Sequence, residues 1–333
     1  MITMDKKRVA VIGLDGMGWP ILNRLFKYSA MPFLKSLVKK SLIGILRSTI
    51  PPITPPAWTS IACGVNPGKH GVYDFVVYSN DKTRLVNAYD IQYPRIHEMV
   101  ALKRLKSVCI NLPLTYPIIR MKNCIVISDW MAPRLSYHPK FLQRYISEYP
   151  TRVVSSRHRK KDDLLDEFYN EAKARAKVIH SIMEDLDWDL FWAVYNEPDH
   201  IFHKCYEEVF NGYKKALKPF KIFDQTVKKA LELADLTIIV SDHGFSKYKY
   251  YINVNSLLSK LGLIKQTWEK TMKEFEDFGS KDITTKRIRM SEKMYKIASI
   301  KLIKIIIKKF YKLLTSKDLK AKLPYPDPKN SKA

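Results

Sequence analysis

The chain has 333 residues, 46% of them hydrophobic and 12% aromatic. That is enough apolar surface for one large or two ordinary domains, and it excludes a disordered, collagenous or coiled-coil chain. Lys and Arg number 58 against 33 Asp and Glu, a formal charge of +25, and the excess is uneven: from Lys247 onward there are 22 basic and 8 acidic residues.

Cys63, Cys109, Cys124 and Cys205 show no CxxC spacing, which argues against a disulfide framework or a Cys-ligated zinc site and suits a reducing cytoplasm. The run from Met1 into Val9 is too short for a signal peptide, and no apolar stretch is long enough to span a bilayer.

In chain order, β-branched apolar runs predict strands at 9–14, 42–48, 107–111, 124–128, 190–194 and 236–241. Helical patterns at 19–28, 31–39, 57–63, 139–149, 163–185 and 213–234 lie between them. This alternation predicts an α/β fold over residues 1–262, a doubly wound, mostly parallel sheet with helices on both faces.

Beyond Gly262 the strand signals stop, and 263–333 reads as a basic helical extension ending in a tail with Pro324, Pro326 and Pro328. Within it, 291–314 has apolar residues at helical spacing, interspersed with lysines. Such a helix either packs on its own domain or lies against an anionic membrane surface or a partner. No helix-turn-helix, zinc-finger or aromatic-basic sheet signature supports specific nucleic-acid recognition.

Four segments carry candidate chemistry. Asp15 follows the first strand in Gly13-Leu-Asp-Gly-Met-Gly18. A carboxylate there repels phosphate unless a cation intervenes, so Asp15 is either a metal ligand or a turn residue. Thr54 stands among prolines ahead of a helix, where a nucleophile for an anionic substrate or a helix cap could sit.

Asp199 and His203 share one helix face if the chain turns helical after Pro198, as two ligands of one ion require; the alternative is an ordinary helix start. His200, between them, faces elsewhere. In Leu236–Phe245 an apolar strand, read as buried, runs into Asp242, His243 and Gly244. The glycine would let the backbone turn so that both ligand types converge, and a local Asp–His hydrogen bond is the other reading. Oxygen and imidazole donors without thiolates suit zinc or manganese, and two such ions suit attack on phosphorus.

Together these segments resemble the alkaline phosphatase superfamily, above all its type I phosphodiesterase/nucleotide pyrophosphatase branch. The likeness rests on Gly13-Leu-Asp15-Gly, Pro51-Pro-Ile-Thr54-Pro-Pro-Ala-Trp, Gly64-Val-Asn-Pro-Gly-Lys-His70-Gly, Glu197-Pro-Asp199 with His203, and Ser241-Asp242-His243-Gly-Phe. It implies a metal-dependent hydrolase of phosphodiester or nucleotide pyrophosphate bonds, with a small phosphoester or nucleotide as substrate.

By that resemblance Asp15, Thr54, Asp242 and His243 hold one divalent ion, and Asp199, His203 and a further histidine the other. Thr54 forms the covalent intermediate, and Lys69 is among the loop residues that could neutralise substrate charge. The family's further histidine comes late in the chain, whereas His243 is the last histidine here, so the second site is incomplete. A tail carboxylate, His158, His180 or a partner chain could complete it. Phe75 stands where an asparagine helps hold the phosphoryl oxygens in nucleotide pyrophosphatases. The alternative function is a shortened, weakly active or inactive relative that binds anionic ligands or membrane surfaces.

Overall fold

The computed structural model describes residues 7–79, 82–150, 160–250, 252–263, 266–267 and 325–326. By internal contacts the chain divides into two compact units, Met1–Phe75 with Val86–Phe245, and Val76–Leu85 with Ser246–Ala333.

The first unit is built on a six-stranded sheet: β1 (Val9–Leu14), β4 (Ser107–Ile110), β5 (Cys124–Ile127), β6 (Tyr137–His138), β7 (Leu190–Tyr195) and β8 (Leu236–Val240), in the order β6-β5-β4-β7-β1-β8. All pairings are parallel except that of β5 with β6. Its helices are α1 (Trp19–Lys27), α2 (Pro32–Leu37), α3 (Thr54–Cys63), α4 (Pro67–His70), α5 (Ile96–Leu102), α6 (Lys161–Asp185), α7 (Glu197–Phe210) and α8 (Lys214–Leu233).

Alternation along the strands divides the core into two layers. Ala10, Ile12 and Leu14 of β1, with Phe191, Ala193 and Tyr195 of β7, join the large cluster beneath α1, α6, α7 and α8. Val11, Leu190, Trp192 and Val194 face the other way, against Trp58 and Ala62 of α3 and Ala101 of α5. Both sides of the central strands are therefore covered, which explains their continuous apolar runs.

In the second unit, β2 (Val76–Ser79) and β3 (Lys82–Leu85) form an antiparallel hairpin, and α9 spans Val254–Lys260. Gln266–Thr267 pairs with Tyr325–Pro326. The predicted helix 291–314, like Pro324 and Pro328, lies outside the described residues.

Three expectations need correction. Residues 42–48 form no strand; Leu42, Ile43, Ile45 and Leu46 are exposed. The run has strand-like composition but gains no ladder partner among the described residues, and Gly44 sits at its centre. Residues 139–149 are not one helix but a 3-10 helix over Lys140–Arg144 followed by turns. Their helix-like spacing buries Leu142, Ile146 and Tyr149 and packs Tyr145 partly buried against them.

The strand before Asp242 is not buried. Among the described residues β8 is a sheet edge, with Leu236 and Ile238 exposed. A short apolar run reads the same at the edge as at the centre of a sheet.

Candidate metal centre

Three neighbouring parallel strands, β7, β1 and β8, end on the same edge of the sheet. Their carboxyl ends deliver Asp199 on α7, Asp15 directly after β1, and Asp242 and His243 after β8. Asp15 continues the β1–β7 ladder through its N–H to the Tyr195 carbonyl at 3.0 Å. Gly16 follows with φ +71, a left-handed turn suited to glycine, and its N–H donates to Asp242 Oδ1 at 3.3 Å. Trp58, four residues after Thr54 on α3, donates from Nε1 to Asp15 Oδ2 at 3.2 Å.

His243 is the hub. Its Nδ1 lies 3.0 Å from the Gly244 carbonyl. A carbonyl only accepts, so Nδ1 carries a proton, and Nε2 turns inward. Nε2 lies 3.4 Å from Thr54 Oγ1, 3.4 Å from Asp15 Oδ1 and 3.3 Å from Asp242 Oδ2.

Donors at the usual zinc distance of about 2.0–2.1 Å around a tetrahedral ion stand about 3.3–3.4 Å apart, the edge of that tetrahedron. The observed separations match that edge. Asp15 Oδ1 and Asp242 Oδ2 are both buried and accept no hydrogen bond. Buried carboxylate oxygens left in this way are what a cation would satisfy, so the residues present fit a divalent ion.

The charges agree with that fit. Burial, then the Asp242 and Asp199 charges, holds the Asp15 carboxyl well above the usual carboxylate range. Burial and Asp199 do the same to Asp242. Ligand atoms of Asp15, Asp199 and His243 all lie within 4.8 Å of one another. His203 joins through Asp199, its Nε2 lying 3.4 Å from Asp199 Oδ2. Burial lowers the His203 pKa, which favours the neutral imidazole a metal requires.

All six predicted residues thus stand around one rim. His200 is turned away, against the side chain of Asn196 and the edge of Trp130. The other imidazole near Asp199 is that of His243, already counted in the first set, and among the described residues no group of three such ligands includes His203. His180 is bonded instead to Thr226, 2.7 Å away between α6 and α8, and His158 lies outside the described residues.

Two local expectations change. The helix start at Thr54 is poor in donors: Pro55 and Pro56 have no N–H, and Ala57 N–H is taken by the Ile53 carbonyl. This leaves the N–H of Thr54 itself for an anion at that end, apart from the helix dipole. Gly244 is not left-handed. The close approach belongs to Gly18, where a Cβ would fall 2.9 Å from Gly244 Cα.

His70 gains a role. Its Nδ1 accepts from Val72 N–H at 3.1 Å, so Nε2–H donates to Ser60 Oγ at 2.8 Å, tying α3 to the loop after α4. Phe75 is buried. Sequence reasoning missed Trp58 as the partner of Asp15, although its spacing of four from Thr54 places both on one helix face. It also missed Ser241, which accepts from Met17 N–H at 2.8 Å and donates to the His243 carbonyl at 2.7 Å.

A mixed, mostly parallel sheet with carboxylates and imidazoles gathered at the ends of adjacent strands defines an alkaline-phosphatase-like α/β protein. The family model for type I phosphodiesterase/nucleotide pyrophosphatase matches residues 9–330, and the chain belongs to that family.

Among solved structures, the chain is similar to phosphonoacetate hydrolase from Sinorhizobium meliloti 1021 in complex with phosphonoformate. The TM-score is 0.58 at 16% identity over 80% of this chain and 65% of that one. It is also similar to an inactive murine ectonucleotide pyrophosphatase/phosphodiesterase 5 in complex with AMP, with a TM-score of 0.49 at 12% identity over 78% and 63% of the two chains. The chain therefore spans just under two thirds of the length of these two relatives. No curated protein sequence matches it.

Proposed function

We propose that the protein hydrolyses phosphoesters, most closely phosphodiester or nucleotide pyrophosphate bonds, with Thr54 as nucleophile. The observation that carries this reading is the convergence of Thr54 Oγ1, Asp15 Oδ1 and Asp242 Oδ2 on His243 Nε2. Family membership supports the reaction class.

Asp15, Thr54, Asp242 and His243 would hold one divalent ion, zinc or manganese, and Asp199 with His203 a second one. When bound, such ions supply the Lewis acidity that lowers the pKa of a hydroxyl and offsets charge on phosphoryl oxygens.

The chain's own residues divide the remaining work. Trp58 and the Gly16 N–H fix the two carboxylates, and the Gly244 carbonyl fixes the His243 tautomer. The α3 dipole directs positive potential toward the phosphoryl group at Thr54. A bond forms from Thr54 Oγ1 to phosphorus as the bond to the leaving oxygen breaks, and water later cleaves the threonyl ester.

The ligand groups named for the two structural relatives, a phosphonate and a nucleotide monophosphate, are small phosphorus-containing anions, and we extend that class to this chain. Four buried free cysteines suit a cytoplasmic setting. We retain 291–314 as a candidate contact with anionic surfaces or a partner, and 263–333 as a region apart from the catalytic one.

Hydrolysis of bis-p-nitrophenyl phosphate with added zinc or manganese tests the assignment. Thr54→Ala should lower turnover about a thousandfold or more, and full activity in that variant would overturn it. Activity that survives chelation would make His243 a base in place of a metal ligand. A protein with neither metal nor turnover, but with steeply salt-dependent polyanion binding, would be the binding protein instead.

A further inference from the structure

Asp199 and His203 sit on the first two turns of α7, and that part of the helix is isolated from the rest. Cys205 breaks the helix with φ −133, so the two side chains are placed by this first segment: by its packing, where Phe202 meets Phe220 and Phe245 and His203 meets the edge of Phe245, and by how the helix is held at its start.

Two buried arms hold it there. From α6, Arg175 reaches Glu197, the first residue of α7, with Nε 2.5 Å from Oε1. Arg175 is 1% exposed and Glu197 0%. The guanidinium is itself held by the Tyr149 hydroxyl at 2.6 Å and by Glu171 Oε1 at 3.4 Å. Burial and the Glu197 charge push the Glu171 carboxyl up to about 8.

From the end of β4, Asn111 donates through Nδ2 to the Val194 carbonyl at 2.8 Å and to Asn196 Oδ1 at 2.7 Å. Asn196 Nδ2 lies 3.2 Å from His200 Nδ1, one turn along α7. Asn111 adopts φ +59, a left-handed backbone that asparagine tolerates better than most residues. Asn111 and Arg175 border the same small cavity. A buried ion pair is weak as a source of stability and more plausible as a device that fixes geometry.

We propose that Arg175 and Asn111 are positioning residues for the Asp199/His203 half of the metal centre, clamping the first turn of α7 from two sides. The proposal rests on the two-ion reading above. The affinity of a site with two protein ligands depends on the groups that orient those ligands; groups of that kind typically change metal affinity by about 10–100-fold. The first ion, held by residues after β1 and β8 and by α3, should not depend on the clamp.

The test is metal binding by the full chain, followed by isothermal titration with zinc and by cobalt(II) absorbance after chelator treatment. Wild type should take up two equivalents. Arg175→Lys keeps the charge but loses the fork, and Asn111→Gly keeps the left-handed backbone but loses both hydrogen bonds. Each should weaken the second equivalent at least tenfold and leave the first unchanged. Leu165→Ala, a core truncation on α6, serves as the control for general destabilisation and should lower Tm without separating the two affinities.

Unchanged affinities in both clamp variants, or a joint loss that matches Leu165→Ala, would overturn the clamp alone. A wild-type protein that takes up one equivalent or none would overturn the two-ion reading and the clamp with it. Should Arg175→Lys fail to fold, Asn111→Gly decides.

Discussion

Asp15→Asn should make the metal-free protein more stable while removing its response to metal. In the structure Asp15 and Asp199 present ligand oxygens within 4.8 Å of each other, with Asp242 alongside. At an effective dielectric constant near 20, two unit charges at that distance repel by about 3.5 kcal/mol. The metal-free protein escapes part of this by protonation, because burial and the neighbouring carboxylates raise the Asp15 pKa. What remains to be relieved is about 1–3 kcal/mol.

The amide is nearly isosteric, and its oxygen can still accept from Trp58 Nε1. At roughly 2–4 °C per kcal/mol, chelated Asp15→Asn should melt several degrees above chelated wild type. Zinc at a hundred times its Kd should then stabilise wild type by about 2.7 kcal/mol and leave the variant nearly unmoved. Scanning calorimetry with and without chelator reads both effects. A chelated variant less stable than chelated wild type, or one that gains as much from zinc, would refute the reasoning.

Two further outcomes follow from the packing. Gly18→Ala places a Cβ 2.9 Å from Gly244 Cα, where backbone cannot yield as a flexible side chain would. The two loops must part, at a cost of about 1–3 kcal/mol, and zinc binding should fall with stability; calorimetry and titration that match wild type would count against it.

His97 is 1% exposed, and its pKa is lowered to about 3 by burial and then by Arg95. The unfolded chain takes up a proton near pH 6.5 that the folded chain refuses down to about 3, so stability falls as pH falls through that window. Between pH 7 and pH 5 this single group removes about 2 kcal/mol. Urea unfolding of His97→Leu should show a loss over that range smaller by about this amount, and an equal loss in both proteins would contradict the shift.

The legible part of the fold was the part where local chemistry and final environment agree. β1, β4, β5 and β7 are buried on both faces, so their apolar runs could be read directly from the chain. Residues 42–48 have the same kind of composition but end exposed without a ladder. Nothing within a segment states whether a neighbour will supply hydrogen bonds. The same limit made β8 read as a buried strand, since an edge position depends on the other strands.

The sequence by itself determined which chemistry was available: carboxylates and imidazoles placed after strands, a threonine among prolines, and a motif order shared with one family. Side-chain type and spacing from a strand end are local properties, and strand ends of a parallel sheet share one edge by construction.

Tertiary structure alone decided that His243 Nε2 faces three oxygens at nearly one distance, that Trp58 and Gly16 orient the carboxylates, and that Arg175 and Asn111 grip α7. Apart from the adjacent Asp242–His243 pair, those contacts join residues 22 to 228 positions apart, or depend on which ring nitrogen carries a proton. Such distances arise only when separate elements pack, and no window of sequence contains both partners.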